Sequence, residues 1–392
     1  MSDLPQEILE AIVDQLDNSS LQPFSLVATA FAGPAQARIF RSLQIHVDGR
    51  VSKDYRPMSP WQAQRLFSSS PHLALHVQHL IIEIPLPERA VDPRILTIPA
   101  RPTQCYPPLQ AVLPSFTRVR RFILSGPVGR RRLWVLLPPE LKKVLRRIML
   151  LPSLHELVLN GLTASRALIT YAAAHVPVLS VFAVHIEPAS SPAADLPAST
   201  APLRVLALQN VSTSMTSFFA SPHALHTVRD LSIQHTEWPI VCTILKGVAG
   251  TLTHLRFATD TLPRLDALRV LELESRAAQE PYSLRDWVPA FLQQVPRALP
   301  HLAKIVLLDN YLSRASGGET AWTHDGNVVD LAGYAGEIHC RLAFHDYPVF
   351  DSTEARRELR DKVYQEFVRC MGEQMPAVRD TGRLSFSTIR VS

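Results

Sequence analysis

The chain has 392 residues, 46% of them hydrophobic and 19% charged, with a formal net charge of +5. This composition excludes an intrinsically disordered chain, which would have too few apolar residues to form a core. Four cysteines without a CxxC pair, and no apolar secretory region before Leu4, argue against a disulfide scaffold and indicate a reducing cytoplasmic or nuclear compartment.

The first forty residues predict three short helices. The first is marked by an apolar stripe at helical spacing, formed by Leu4, Ile8, Leu9, Ile12 and Leu16. Asp3 is expected to cap this helix, with Pro5 in its first turn. Two further helices are expected over residues 21–31 and 34–40, with a break at Gly33-Pro34. Three short helices make a small core, so much of their apolar surface is expected to need a partner.

These residues resemble an F-box. The matching positions are Leu4-Pro5-x-Glu7-Ile8-Leu9-x-x-Ile12-x-x-x-Leu16, then Ser25-Leu26-Val27-x-x-x-Phe31 and Arg38-Ile39-Phe40-Arg41-Ser42-Leu43. The resemblance implies docking on a Skp1-like adaptor that belongs to a cullin-RING ubiquitin ligase. The adaptor contacts it implies are Leu4, Pro5, Ile8, Leu9, Ile12, Leu16, Val27 and Phe31. It covers about a tenth of the chain, and Phe31 stands where many members have tryptophan. The alternative is an amphipathic helix that only caps the following region.

Farther along the chain, the pattern apolar-x-x-apolar-x-apolar recurs. It begins at Val77, Val119, Leu154, Leu179, Leu203, Val228, Leu252, Leu268 and Leu302. The four central steps are 25, 24, 25 and 24 residues long, which is the range of leucine-rich repeats. The pattern resembles an irregular form of that family, in which stacked strand and helix units form a solenoid.

We therefore predict an α/β fold made of three parts. A trihelical F-box-like module covers residues 1–45, an irregular leucine-rich-repeat solenoid (horseshoe) covers 46–350, and a C-terminal helix and tail over 351–392 cap it. The cap is expected to contain a helix over 351–375 and a tail that either adds a strand or stays loose. Eight prolines make 85–114 an expected loop.

The densest charge feature lies at residues 118–147, where ten basic residues accompany Glu140 alone. Such a stretch can bind phosphate or an acidic partner. The other interpretation, which the spacing favours, is a solvated helix face opposite apolar Leu141 and Leu145. Nucleic-acid binding is not expected, because aromatic residues are not interleaved with the basic ones.

No metal, cofactor or catalytic site is predicted. His72, His76 and His79 do not share a helical face, and no motif for metal, phosphate or nucleophilic chemistry occurs. Residues 167–186 lack charged side chains, but Pro177 lies at their centre, so a membrane span is not expected. We expect no enzymatic activity, although a site assembled from distant residues stays open.

Polar residues beside the apolar strand anchors are expected to face the concave surface, because side chains alternate across a strand. These candidate partner-binding residues are Glu156, Asn160, His185, Gln209, Asp230, Gln234, His254, Arg256, Glu272 and Glu274. The alternative is an ordinary solvated sheet surface.

The predicted function is that of a substrate-recognition subunit of a Skp1–cullin–F-box E3 ubiquitin ligase. It would bind Skp1 through the N-terminal helices and an unknown protein target through the repeats. The alternative is a non-enzymatic leucine-rich-repeat scaffold without ligase association.

Overall fold

The structure of the protein is a computed structural model. It describes residues 5–46, 56–84, 105–126, 137–186, 203–211, 225–234, 238–257, 265–274, 299–311, 334–345 and 353–391. The chain divides into two compact units, Met1–Phe218 and Phe219–Ser392.

Three helices open the first unit: α1 (Gln6–Gln15), α2 (Asn18–Phe24) and α3 (Thr29–Arg41). Helix α2 is capped by Asp17, whose carboxylate accepts a 2.7 Å hydrogen bond from the Ser20 backbone N–H. The predicted break at Gly33-Pro34 is wrong, because both residues lie inside α3. Pro34 removes only one helical hydrogen bond and is buried, so packing offsets the loss. The predicted cap, Asp3, lies outside the described residues.

Seven parallel strands form the sheet of the first unit, in the order β9-β7-β5-β4-β3-β1-β2. They are β1 (Ser42–Ile45), β2 (Arg56–Met58), β3 (His79–Glu83), β4 (Arg121–Ser125), β5 (Glu156–Asn160), β7 (Val178–Phe182) and β9 (Val205–Gln209). Two-residue strands β6 (Thr163–Ala164) and β8 (His185–Ile186) form a separate parallel pair. Helix α3 runs directly into β1, so the helical module is continuous with the sheet.

The core of the first unit lies on one face of this sheet. Strands β3, β4, β7 and β9 alternate half-buried and buried residues, so every second side chain enters the core. The described connections contain α4 (Pro60–Ser69), α5 (Tyr106–Val112), α6 (Pro139–Met149) and α7 (Arg166–His175). Three aromatic rings join α3 to this core, since Phe67 lies 6.1 Å from Phe40 and 5.0 Å from Phe116 between ring centroids.

The second unit has six parallel strands in the order β15-β14-β13-β12-β11-β10. They are β10 (Asp230–Gln234), β11 (His254–Phe257), β12 (Val270–Glu274), β13 (Lys304–Tyr311), β14 (Glu337–His345) and β15 (Leu384–Val391). Its described helices are α8 (Trp238–Val248), α9 (Thr353–Gln374) and α10 (Pro376–Asp380). The C-terminal tail thus adds a strand, and α9 buries Val363, Phe367 and Met371.

The predicted irregular leucine-rich-repeat solenoid (horseshoe) is wrong. The described chain is α/β with thirteen all-parallel main-sheet strands, which range from three to nine residues in length. The prediction started one repeat at the wrong residue. Strand β7 begins at Val178, so the residue equivalent to Leu154 of the preceding repeat is buried Val176 and not Leu179. The first two steps between repeats therefore become 22 and 27 residues. Alternating apolar residues and returning helices are common to parallel sheets, so they do not specify a solenoid.

Two predicted segments have other outcomes. The last part of the expected loop over 85–114 forms α5, whereas residues 85–104 lie outside the described residues. The uncharged segment 167–186 contains most of α7 together with β7 and β8. Among the described residues, no helix has the length and apolarity needed to cross a membrane.

Candidate protein-binding surfaces

Helix α1 and the turn between α2 and α3 expose large apolar side chains. Ile8 is 47% exposed, Ile12 36%, Leu26 84% and Val27 71%. These four residues, which we call the apolar patch, account for most of the exposed large apolar side chains in the described part of the chain. Isolated exposed apolar residues are ordinary, but several within one short module indicate an interaction surface.

The predicted adaptor contacts divide between surface and core. Pro5, Ile8, Ile12 and Val27 are exposed, Leu16 and Phe31 are half-buried, and Leu9 is buried; Leu4 lies outside the described residues. Leu9 lies with buried Val13 and Leu21 in the module's core. Leu26 was not predicted, although it stands in the matched Ser25-Leu26-Val27 segment, because only the following residue was carried over from the resemblance.

Contacts between the helices hold the apolar patch in place. The Phe24 and Phe31 rings are 4.5 Å apart between centroids, which joins α2 to α3. The Arg38 guanidinium donates to the Val13 carbonyl at 2.7 Å and lies 3.1 Å from the Asp14 carboxylate. These bonds fix the end of α1 against α3, so the patch is carried by a connected set of helices.

The candidate residues of the first unit lie on the sheet face opposite the core. Glu156 lies 3.1 Å from the Arg121 guanidinium on β4, while Asn160 is exposed at the far end of β5. Gln209 is half-buried and pairs in register with Phe182 of β7. His185 was predicted to lie on this face, but it belongs to β8 and therefore to the separate two-stranded pair.

In the second unit, sheet register brings predicted residues together. Asp230 is paired with His254, and the carboxylate lies 2.9 Å from the imidazole Nδ1. Arg256 is paired with Glu272 on the next strand, and both are half-buried. Gln234 ends β10 on the same face, whereas the side chain of Glu274 is outside the described residues. The face is therefore polar and carries both signs of charge.

A cluster of His339, Ser385 and Ser387 on the same sheet face was not predicted from the sequence. The His339 imidazole lies 2.7 Å from the Ser385 hydroxyl through Nδ1 and 2.9 Å from the Ser387 hydroxyl through Nε2. Burial lowers the His339 pKa, and the positive charges of Arg341 and Lys304 lower it further, against the effect of Glu337. Polar-apolar alternation over 337–342 is the sequence signal that could have found this strand.

The basic stretch is divided between a helix and the start of a strand. Helix α6 buries Leu141, Leu145 and Ile148, while Lys143, Arg146 and Arg147 are exposed on its other side. The solvated-face interpretation therefore describes α6. Residues 130–132 lie outside the described residues. Arg118, Arg120 and Arg121 lie at the start of β4, where Arg118 and Arg120 are exposed.

The described residues contain no group of three or more side chains suited to hold a metal ion. No protein-family model matches the chain, and no curated protein matches it in sequence. The likeness to an F-box therefore rests on the residues of the N-terminal helices alone.

Proposed function

We propose that the protein is a substrate-recognition subunit of a Skp1–cullin–F-box E3 ubiquitin ligase. The observation that carries the proposal is the apolar patch, which lies within the residues that resemble an F-box. Its side chains are solvent-exposed. Covering an Ile, Leu or Val side chain contributes about 1.5–3 kcal/mol, so an adaptor that covers the patch has a substantial source of affinity.

In this role the chain performs no chemistry and needs no cofactor. The helices bind a Skp1-like adaptor in the cytoplasm or nucleus, and the sheet surfaces bind a protein target. Holding both partners on one chain raises the effective concentration of the target near the ubiquitin-loaded enzyme. The polar side chains on the sheet face of the second unit support target binding, because they have no core role.

Co-purification of the full chain with Skp1 and a cullin tests the proposal. The variant carries Ile8→Asp and Val27→Asp, two exposed positions at which a charge is compatible with folding but not with an apolar contact. We expect the wild-type chain to retain Skp1 and the variant to lose it by more than about tenfold, since two desolvated charges cost well over 1.4 kcal/mol.

A matched variant controls for exposed apolar residues in general. Leu75 and Leu150 are 41% and 38% exposed and lie outside the three helices. Leu75→Asp with Leu150→Asp should retain Skp1 at the wild-type level. If the wild-type chain does not bind Skp1, the proposal is wrong.

The alternative is a binding scaffold without ligase association, and the polar side chains on the second unit's sheet face favour it equally. Deletion of residues 1–45 does not test it cleanly, because α3 continues into β1 and Phe40 contacts Phe67 in the core. The double-aspartate variant is the better tool. A scaffold would keep its protein partners in that variant and show no Skp1 in either form.

A further inference from the structure

The residues that precede the strands of the first unit form a continuous row. Backbone hydrogen bonds run from Gln78 N–H to the Arg41 carbonyl (3.0 Å), from Arg120 to Gln78 (2.7 Å) and from His155 to Arg120 (2.8 Å). The row ends with the Arg204 N–H, which donates to the Pro177 carbonyl at 2.8 Å. These residues therefore lie side by side at the amino-terminal ends of β1, β3, β4, β5, β7 and β9.

Three members of this row are exposed arginines: Arg41, Arg120 and Arg204, which we call the arginine row. Within the described part of the chain, none of the three has an ion-pair partner. The one carboxylate on the first residues of these strands, Glu156, pairs with Arg121 at 3.1 Å. The arginine row is therefore a set of positive charges that no ion pair neutralises within the described ranges.

Electrostatics at His79 supports this arrangement. Its pKa is lowered first by burial and then by the charges of Arg41, Arg121 and Arg120. Among the residues that the structure describes, the charged groups that act on this imidazole are all arginines. Its Nδ1 lies 3.2 Å from the Ser42 hydroxyl. Arginines at the end of α3 and at the start of β4 thus both act on His79, the first residue of β3.

The row has a length that suits an extended peptide. Neighbouring strands are about 4.8 Å apart, so the five spacings from Arg41 to Arg204 span roughly 24 Å. An extended chain advances about 3.3 Å per residue, and about seven residues cover that length. Guanidinium groups bind carboxylates through paired, charge-assisted hydrogen bonds, so glutamate or aspartate side chains fit the row.

We propose that the arginine row binds an acidic, carboxylate-rich polypeptide segment across the amino-terminal ends of the first unit's strands. A single-stranded nucleic acid is the competing ligand. It is disfavoured because no exposed aromatic side chain lies on the pre-strand row among the described residues, whereas such sites bind bases by stacking on aromatic rings. The acidic segment would define the target class of the proposed receptor, but its binding does not depend on the adaptor.

Fluorescence anisotropy with the full chain and labelled polyglutamate tests the proposal. The variant carries Arg41→Gln, Arg120→Gln and Arg204→Gln, and the control carries Lys143→Gln, Arg146→Gln and Arg147→Gln on exposed positions of α6. Both variants remove three positive charges, so they differ only in where the charge is lost. We expect the row variant to weaken binding by about tenfold, from three partly exposed ion pairs, and the control to change it less than twofold.

Salt and a second ligand complete the experiment. Binding should weaken steeply with ionic strength, because exposed charges are screened beyond about 10 Å at 0.1 M salt. Equal losses in the two variants, or no binding by the wild-type chain, would overturn the proposal. Tighter binding of a single-stranded oligonucleotide than of polyglutamate, lost in the row variant, would assign the row to nucleic acid. Thermal melting of each variant checks the fold, and Skp1 co-purification by the row variant reports separately on the proposed function.

Discussion

Arginines precede strands in both units, but their surroundings differ. In the first unit, Arg41, Arg120 and Arg204 are exposed and lack ion-pair partners among the described residues. In the second, the Arg269 guanidinium donates to the His301 carbonyl at 2.9 Å, and Arg383 donates to the Tyr334 carbonyl. Two pre-strand arginines of the second unit are thus hydrogen-bonded to carbonyls, whereas Arg229, which precedes β10, is exposed and has no side-chain partner among the described residues.

Carboxylates reinforce this difference. The second unit's strands begin with Asp230 on β10 and Glu337 on β14, whereas Glu156 alone has that place in the first unit. Asp230 follows Arg229 directly and also lies 2.9 Å from His254. Whether an arginine at a strand start can bind a ligand therefore depends on the groups beside it and not on the number of arginines in the unit. Four predictions break or sharpen the comparison.

The largest effect on stability is expected from removing one aromatic ring from the core of the first unit. Phe116 is 1% exposed, and its ring meets that of Phe67 at 5.0 Å. Phe116→Ala should lower the free energy of unfolding by about 3–5 kcal/mol, because it creates a cavity that the helices cannot fill. Chemical denaturation measures the loss. Polyglutamate binding should fall with it, since the arginine row needs an intact sheet.

Phe367→Ala is the counterpart in the second unit, where the ring lies 6.2 Å from Phe386. It should cost a similar amount of stability. Amide exchange in β3 to β5 and in β13 to β15 shows which strands each variant affects. A loss below about 1 kcal/mol for Phe116→Ala would mean that its site collapses to fill the cavity, contrary to expectation.

A smaller loss is expected at the turn that follows β5. Gly161 has a φ of +63°, and an added Cβ would lie 3.2 Å from the Gly126 carbonyl oxygen. Ala183, after β7, has a φ of 49°, so alanine can adopt this backbone conformation. Gly161→Ala should cost about 1–2 kcal/mol in a thermal melt.

Gly250→Ala is the matched control, because an added Cβ there meets no atom within 4 Å. It should change stability by less than about 0.5 kcal/mol. Equal effects at the two glycines would show that neither the positive φ of Gly161 nor the contact with Gly126 matters.

Strand positions were accessible from the sequence, but their assembly was not. Buried anchors such as Leu206 and Leu208 alternate with half-exposed residues, and that period of two is a local property of the chain. The repeat step depends instead on where each strand starts, and a shift between Val176 and Leu179 was enough to produce a false regularity. The corrected steps still lie within the range of leucine-rich repeats, so the spacing could not separate a solenoid from another parallel sheet with returning helices.

The candidate binding surfaces were likewise only partly predictable from the sequence. Helical spacing predicted the apolar stripe of α1, but it could not separate exposed Ile8 from buried Leu9, because that depends on packing against α3. The arginine row was missed because its members are far apart in sequence. Arg120 was counted within a basic stretch, whereas Arg204 follows the anchor Leu203 alone and becomes a neighbour of the row only through strand pairing.

Removing carboxylates from the strand starts of the second unit should make the charge there more positive, as it is in the first unit. Asp230→Asn with Glu337→Gln removes two negative charges near Arg229 and Lys304. We expect the full chain to bind polyglutamate about two- to threefold more tightly at low salt, since exposed charge contacts contribute a few tenths of a kcal/mol each. Anisotropy measures the gain. Glu358→Gln with Asp361→Asn, at exposed positions of α9, should change affinity less; an equal gain would make net charge the cause.

The smallest expected effect is the dependence of stability on pH through His79. Its folded-state pKa lies below the ordinary 6.5, because burial and the charges of Arg41, Arg121 and Arg120 disfavour the imidazolium. The unfolded chain therefore binds a proton more readily, so this contribution to stability is present above about pH 6.5 and is lost as pH falls through the folded-state pKa.

Denaturation at several pH values should show that the free energy of unfolding declines less steeply with falling pH for His79→Gln than for the wild-type chain. In the row variant, with Arg41 and Arg120 replaced, the decline should also become shallower, because two of the charges that disfavour protonation are gone. An unchanged slope there would show that Arg41 and Arg120 do not contribute to the lowered pKa of this histidine.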